Sequence, residues 1–357
     1  FHPWNATKVL ADGPSIRHYV NATAAHYGIE KHIRYGVQVT SANWSSTDKR
    51  WSVTVVSAEG TRVYTCQHLA MCTGYYNYDA GYLPEFMGKE DFKGTCVHPQ
   101  QWPEDLDYTG KKVVVIGSGA TAITLIPSMA DKTAHITMLQ RSPTYIMSIP
   151  SRDFLSTFLL KFLPAAWVYK WARNRNITLQ RWFFKSSKRW PNVSKRWLLV
   201  LVKRQLRNPE DLVHFTPRYN PWDERLCVVP NGDLFKALHH NKASIVTDHI
   251  ERFVENGILL KSGKTLEADI IVTATGLNLQ TLGGMQLYID EKLMPTHQAM
   301  TYKGVLIQDA PNFAYLFGYT NASWTLKLNI AADYLCRLYN HMDAKAYTVA
   351  TPHDNEG

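Results

Sequence analysis

One compact set of residues is suited to binding a phosphate. The run Lys112–Ile116 reads Lys-Val-Val-Val-Ile, which is typical of a buried strand. It leads directly into a G-x-G-x-x-A turn. In such a turn the first glycine permits the bend, the second lets the backbone approach a pyrophosphate, and the small final residue lets helix and strand pack closely. The residues predicted to bind a dinucleotide cofactor are Gly117, Ser118, Gly119, Ala120, Thr121 and Ala122.

The residues that follow the next predicted strand, 135–140, indicate which dinucleotide is bound. An enzyme that uses NAD places Asp or Glu there to accept a hydrogen bond from the ribose 2′-hydroxyl. This chain has Arg141 and Ser142 instead, and the Arg141 guanidinium can pair with a 2′-phosphate. The alternative is that Arg141 is a solvated loop residue. We therefore expect NADPH to be the cofactor.

A second group of residues, Phe92 to Pro103, precedes the glycine turn. Taken alone it is a loop in which His98 has no visible partner, and a lone histidine of this kind is more often structural than catalytic. The loop nevertheless matches F-x-G-x-x-x-H-x-x-x-W-P at Phe92, Gly94, His98, Trp102 and Pro103. In this pattern the chain resembles the Baeyer–Villiger monooxygenases. Related flavin-containing monooxygenases that oxidise nitrogen and sulfur have Tyr in place of Trp102, so the tryptophan favours the Baeyer–Villiger branch.

The resemblance extends over nearly the whole chain. Segments 98–108, 140–145 and 215–223 are similar to the ethionamide-activating Baeyer–Villiger monooxygenases and to the flavin monooxygenases implicated in long-chain alkane oxidation. This resemblance implies an α/β fold with two dinucleotide-binding, Rossmann-like domains and a helical insertion.

The same resemblance implies domain boundaries. A partial FAD-binding domain would span 1–108, the NADPH-binding domain 109–149 and 226–275, the helical insertion 150–225, and a returning FAD-domain segment 276–357. Gly74 and Gly276, each at the end of a predicted strand, would mark where the chain passes between the nucleotide-binding domains. Taken alone, the segment before Gly276 would fit a plain α/β loop equally well.

Members of this family also open with a G-x-G-x-x-G turn for FAD. The only full fingerprint in this sequence is the turn that begins at Gly117. The first FAD-binding βαβ unit is thus missing from the sequence, and we expect a fragment of a longer protein or a truncated copy of one. An inactive NADP-binding fragment is the corresponding alternative.

The resemblance implies a monooxygenase reaction that uses FAD, NADPH and O2. NADPH would reduce FAD, O2 would add to give a C4a-peroxyflavin, and one oxygen atom would enter a small apolar ketone or a sulfide. Arg225 is the expected catalytic cation, because a guanidinium stays charged in a desolvated pocket and can hold a peroxide anion. An ion pair with Asp223 or Glu224 is the alternative role for Arg225.

Four further residues have roles implied by the resemblance. His98 would act beside the catalytic residues, supporting the hinge between domains rather than transferring a proton. Asn321, with Tyr319 and Trp324, would lie near the flavin, although core packing explains Trp324 equally well. Oxidation of nitrogen or alkane-derived substrates is an alternative activity. A reductase that never activates oxygen is another, but reductases of this architecture lack the loop around His98.

The positive charge is concentrated between residues 151 and 210. This segment has fourteen Lys and Arg against two acids, a net of +12, whereas the whole chain is +9. It contains five of the eleven tryptophans and has helix-like apolar spacing, so it is predicted to form several amphipathic helices. The helices could have a solvated basic face and a tryptophan-rich core side, or could contact an anionic membrane surface. No nucleic-acid-binding motif frames the patch, so nucleic acid is not an expected partner.

Length and composition set the remaining limits. A chain of 357 residues suits two or three domains, and no apolar run is long enough to span a membrane. The first residues, Phe-His-Pro-Trp, have neither a basic n-region nor an apolar h-region, so they are not expected to form a signal peptide. Five scattered cysteines lack the spacing of a zinc site, which favours free thiols in a reducing compartment. We therefore expect a cytoplasmic protein, with membrane association through 151–210 left open.

Overall fold

The computed structural model describes residues 11–224, 226–319 and 322–354. These residues form two compact units. Unit 1 contains the chain up to Glu30 together with Gly81–Gly276, and unit 2 contains Lys31–Ala80 together with the chain from Leu277 onward. The chain passes between the units three times, after Glu30, after Ala80 and after Gly276.

The described residues form the following helices and strands. The helices are α1 Gly13–His26, α2 Ala120–Met129, α3 Phe154–Leu159, α4 Ala165–Arg189, α5 Pro191–Lys203, α6 Asp233–His239 and α7 Trp324–Ala344. The first strands are β1 Val37–Ser45, β2 Arg50–Ser57, β3 Gly60–Cys66, β4 Leu69–Met71, β5 Tyr76–Gly81, β6 Thr95–Val97, β7 Lys112–Ile116, β8 His135–Gln140, β9 Ile146–Ile149 and β10 Cys227–Pro230. The later strands are β11 Ala243–Thr247, β12 Ile250–Val254, β13 Gly257–Leu260, β14 Thr265–Glu267, β15 Ile270–Thr273, β16 Leu277–Leu279, β17 Gln286–Ile289, β18 Lys292–Leu293, β19 Thr301–Tyr302, β20 Leu306–Ile307 and β21 Phe313–Tyr315.

Unit 1 is organised by a five-stranded sheet in the order β11-β8-β7-β15-β6. All of its strand pairs are parallel. From β7 the chain proceeds through α2 to β8 and later to β11 on one side, and then crosses to β15 on the other side. The strand order therefore reverses between β7 and β15, and this is the place where open α/β sheets bind ligands. The buried strand predicted at Lys112–Ile116 and the helix expected after its glycine turn are confirmed as β7 and α2.

Both faces of this sheet are covered. Successive side chains of a strand point to opposite faces. Val113 and Val115 pack in a core with Ile123 and Ile126 of α2. The next residue along from each, Val114 and Ile116, lies in a second core with residues of the antiparallel sheet β12-β13-β14. The continuous apolar run of β7 reflects burial on both sides.

Unit 2 contains a five-stranded sheet, β18-β17-β1-β2-β3, and a four-stranded sheet, β19-β20-β21-β4. Residues 37–66 form an antiparallel meander of the strands β1 to β3. Trp44 and Trp51 are buried in the core with Phe313, and the Trp51 indole N–H donates to the carbonyl oxygen of Pro311 at 3.0 Å. Helix α7 covers a smaller core through Ala331 and Leu335.

Residues 154–203 form helices, as the apolar spacing predicts, but their tryptophans do not form a core. Val168 of α4 and Leu198 and Val202 of α5 are buried instead. All five tryptophans of the segment, Trp167, Trp171, Trp182, Trp190 and Trp197, are exposed. The expectation of a tryptophan-rich core side is therefore wrong. An amphipathic pattern gives the positions of apolar residues around a helix, but not which apolar arc meets the protein.

No helix among the described residues is both long and apolar enough to cross a membrane. The five cysteines are all free thiols.

Replacing Trp51 with Ala should lower the free energy of unfolding by about 3–5 kcal/mol, because the change removes a fully buried ring and leaves the Pro311 carbonyl without its donor. Tyr35→Ala is the control within the same unit, since this ring is 80% exposed and its loss should cost less than about 0.5 kcal/mol. Urea unfolding followed by far-ultraviolet circular dichroism measures both. Equal losses in the two variants would contradict the core assigned to Trp51.

Candidate functional site

The carboxyl edge of the parallel sheet in unit 1 brings together residues that are far apart in sequence. Gly117 follows β7, Arg141 follows β8, Gly276 lies three residues beyond β15, and His98 follows β6. Parallel strands all end at the same edge, so these four positions meet at the edge where a ligand is expected.

Gly117 makes the turn between strand and helix possible. Its φ of 138° is rarely adopted by residues with a side chain, and a Cβ there would lie 2.4 Å from the carbonyl oxygen of Ala274. Its own N–H donates to the carbonyl of Leu139 at 2.8 Å. The turn is thus held between the ends of β8 and β15, and a larger residue would separate them.

Gly119 provides the open side of the same turn. It is the N-cap of α2, no side chain caps it, and nothing lies within 4 Å of the position where a Cβ would stand. The first four N–H groups of an α-helix lack intrahelical acceptors and carry partial positive charge. Ala122 is completely buried against the strand. The open, uncapped helix start is therefore suited to an anion such as a pyrophosphate.

Arg141 and Ser142 lie beside this turn. Both are exposed, and the Ser118 hydroxyl donates to the carbonyl oxygen of Ser142 at 3.2 Å, which connects the two loops. Within the described parts of the chain, Arg141 has no ion-pair partner. Its guanidinium is therefore available to a negatively charged group at the end of β8.

Gln140, the residue before Arg141, belongs to a buried polar network that the sequence did not predict. The Gln140 amide donates to the backbone carbonyl of His214 and to the Thr247 hydroxyl, both at 2.8 Å. His214 Nδ1 lies 2.7 Å from the same hydroxyl. Burial lowers the pKa of His214, opposed by the charge of Asp211. A Gln at the end of an apolar strand was the only available signal, and its partners are far away in sequence.

The residues of the Phe92–Pro103 fingerprint fix the edge strand β6. Phe92 is buried and packs edge-on against Phe253 at 6.3 Å. A Cβ on Gly94 would lie 2.3 Å from the carbonyl oxygen of Asp269, so only glycine allows this approach to the start of β15. Trp102 packs against the core on the α2 face. These contacts set the position of the strand that ends at His98.

His98 contacts both ends of Gly81–Gly276, the second segment of unit 1. Its Nε2 lies 3.1 Å from the carbonyl oxygen of Gly276, and its Nδ1 accepts a hydrogen bond from the backbone N–H of Gln100. A Cβ on Gly81 would lie within 2.4 Å of the imidazole ring, so the ring rests directly on the backbone there. Sequence reasoning missed Gly81, which shows in the sequence only as a lone glycine.

Gly74, the other predicted crossing point, lies in unit 2. Its φ is 73°, and its carbonyl oxygen accepts a hydrogen bond from the Tyr315 hydroxyl at 2.7 Å. Next to it, the Thr73 hydroxyl oxygen is buried without a hydrogen-bond partner in the described structure. The Tyr75 and Trp324 rings stack with centroids 5.2 Å apart. A buried hydroxyl without a partner calls for an explanation, and a polar ligand group is one.

Arg225 and Asn321, two predicted site residues, lie outside the described residues. Two residues after position 225, the Cys227 N–H donates to the Tyr145 carbonyl at 2.9 Å where β9 and β10 pair. Asp223, one candidate partner for Arg225, accepts a hydrogen bond from Lys188 at 2.8 Å. Trp222 has a φ of 72°, a strained conformation for a bulky residue.

Comparisons with known proteins agree with this arrangement. Residues 10–308 match the family described as flavin-binding monooxygenase-like. The chain is 59% identical to MymA of Mycobacterium tuberculosis over 99% of its own length and 73% of that protein. It is 50% identical to the FAD-containing monooxygenase EthA of the same organism, covering 97% of the chain and 71% of EthA. The fold matches OTEMO, crystallised with FAD and NADP, with a TM-score of 0.78 at 20% identity, over 98% of this chain and 74% of that chain.

The contact between His98 and Gly81 can be tested with a double-mutant cycle. Gly81→Ala should destabilise the protein by about 1–3 kcal/mol, because the added methyl group meets the imidazole ring. In a His98→Ala background the same change should cost much less, and the difference is the coupling between the two positions. Gly13→Ala is the matched control, since nothing lies within 4 Å of that Cβ. Additive losses in the cycle would rule out the contact.

Proposed function

Because the chain belongs to the flavin-binding monooxygenase-like family, we propose that it is an FAD- and NADPH-dependent monooxygenase that inserts one oxygen atom from O2 into an organic substrate. The observation that carries this proposal is the meeting of the uncapped α2 start, Arg141 and His98 at one edge of the parallel sheet.

The residues at that edge fit NADPH. The open backbone at Gly119 would receive the pyrophosphate, together with the N–H groups of Ala120, Thr121 and Ala122. Arg141 would pair with the 2′-phosphate, because it is exposed next to the end of β8 and its charge is not neutralised by any described acid. The domain boundaries given above, with NADPH in 109–149 and 226–275, are part of the proposal.

For FAD, the support lies in unit 2. The unpartnered Thr73 hydroxyl and the stacked pair Tyr75 and Trp324 are suited to a flat, polar-edged ring system. Gly74 and Asn321 belong to the same proposed group of flavin-binding residues. The pyrophosphate turn that FAD would also require is not among the described residues.

In the proposed reaction, FAD supplies the oxygen chemistry when it is bound. Arg225 would hold negative charge at the reacting oxygen, since a guanidinium remains protonated where a lysine would lose its charge. His98 would position the backbone at Gly276 through its Nε2 contact and would not transfer a proton. It is a positioning residue for the segment that ends unit 1.

The proposed substrate is a small apolar ketone, oxidised to an ester, or a sulfide, oxidised to a sulfoxide. Trp102 in the fingerprint supports the ketone reaction. Oxidation of nitrogen or of alkane-derived substrates is the second candidate activity.

The decisive experiment is a product assay on the intact purified protein. We expect flavin absorbance, NADPH consumption that increases with a ketone or sulfide, and one labelled oxygen atom in the product when the gas is ¹⁸O₂. A yellow protein that consumes NADPH without forming any oxygenated product would contradict the proposal in favour of a reductase. A colourless protein would favour an NADP-binding role alone.

Arg141→Ala should raise the KM for NADPH by about 10- to 100-fold and leave the KM for NADH nearly unchanged, because only NADPH carries the 2′-phosphate. Lys111→Ala is the matched control, since this exposed cation precedes β7 at the opposite end of the sheet. Steady-state kinetics with both cofactors measure the effect. A similar rise for NADPH and NADH would show that Arg141 does not read the 2′-phosphate.

A further inference from the structure

Helix α4 presents a stripe of large apolar side chains to solvent. Trp167, Trp171, Leu179 and Trp182 are spaced so that they fall on one side of the helix, and they are between 41% and 75% exposed. Arg175 lies within the same stripe and stacks over the Trp171 ring at 4.9 Å. Exposed tryptophans arranged in a row require an explanation, whereas a single one would not.

The neighbouring helices repeat this arrangement. On α5, Val193, Trp197 and Val200 follow helical spacing along the exposed side, while Leu198 and Val202 are buried. At α3 and its following turn, the exposed apolar residues are Phe154, Phe158 and Phe162. Each of the three helical elements therefore has an exposed apolar surface, although the Trp197 ring also meets the Phe183 ring of α4 with centroids 5.7 Å apart. We call residues 152–207 with these side chains the aromatic-basic surface.

Positive charge accompanies the apolar side chains. Of the fourteen Lys and Arg between residues 151 and 210, Arg175 pairs with Asp153 and Lys188 pairs with Asp223. The other twelve have no ion-pair partner within the described residues. Arg181 and Lys185 are exposed on α4 beside Trp182, and Arg196 and Lys203 are exposed on α5 beside Trp197 and Val200. The charge is thus next to the apolar stripes.

We propose that the aromatic-basic surface binds the protein to an anionic lipid membrane as a peripheral contact. Tryptophan favours the boundary between headgroups and acyl chains, where its apolar ring and its indole N–H are both satisfied, and phenylalanine adds apolar surface at the same boundary. Lysine and arginine beside them are attracted to anionic headgroups and can keep their charges in the headgroup layer while their stems cover apolar surface. Since no described helix can span a bilayer, the helices would lie on its surface.

Charge and side-chain type favour a membrane over the other possible occupants. A second copy of the chain would bring two segments of net charge +12 together, and such like-charge contact is unfavourable. Nucleic acid would match the charge. It offers little to the branched aliphatic side chains Leu179, Val193 and Val200, which fit an acyl environment.

Vesicle co-sedimentation of the intact protein tests the proposal. Vesicles of phosphatidylcholine with phosphatidylglycerol should bind the protein, added salt should weaken the binding, and pure phosphatidylcholine should bind far less. Tryptophan emission should shift to shorter wavelength on binding. These measurements on the unmodified protein do not depend on the folding of any variant.

Variants locate the contact. Trp167→Ser with Trp182→Ser, and separately Arg181→Glu with Lys185→Glu, should each reduce partitioning onto anionic vesicles by about tenfold or more. Lys261→Glu with Lys264→Glu is the control of equal charge change, because both lysines are exposed on the hairpin between β13 and β14. This control should lose only the vesicle binding that follows from its lower net charge. It should therefore bind anionic vesicles well above the level of the α4 variants.

Several results would overturn the proposal. These are absence of vesicle binding, equal and salt-insensitive binding to both vesicle types, or equal losses in the control and α4 variants. Self-association that the Trp167 and Trp182 changes abolish would identify the surface as a contact between copies instead. Tight binding to duplex DNA without vesicle binding would assign the surface to nucleic acid.

Discussion

The close approach of two strand ends in unit 1 is the constraint on which the candidate site depends. Just after the paired strands β7 and β15, the chain is so close that a Cβ on Gly117 would stand 2.4 Å from the carbonyl oxygen of Ala274. This close approach lies where the strand order reverses. The start of α2 therefore lies at the crevice beyond the strand ends. The buried faces of β7 hold the strand in place on both sides. Beyond the tightly packed Gly117, the turn is open at Gly119, where nothing lies within 4 Å of the Cβ position.

In this structure the fingerprint residues around His98 hold an edge strand in place. Phe92 anchors the start of the edge segment in a core, and Gly94 allows backbone contact with the beginning of β15. His98 then meets the carbonyl of Gly276 at the other end of the same pair of strands. The pattern therefore fixes both ends of an edge strand. Through His98 it also fixes Gly81 and Gly276, where the second segment of unit 1 begins and ends.

The helices between residues 154 and 203 bury few of their large apolar side chains. They are anchored by few residues, such as Val168, Leu198 and Val202, while most large apolar side chains remain outside. The exposed apolar surface carries a hydration cost that the described chain does not recover by packing. Exposed lysine and arginine side chains lie among the aromatic ones on this surface.

The sequence by itself determined the elements whose signal is local. The apolar run at 112–116 and the glycine turn after it predicted β7 and α2, because apolar spacing and turn residues are properties of neighbouring positions in the sequence. Only the tertiary structure decided contacts between distant residues: His98 with Gly81 and Gly276, and Gln140 with His214 and Thr247. It also decided that the tryptophans of 167–197 face outward. Helical periodicity defines an apolar arc, but the packing partners of the fold determine whether that arc is buried.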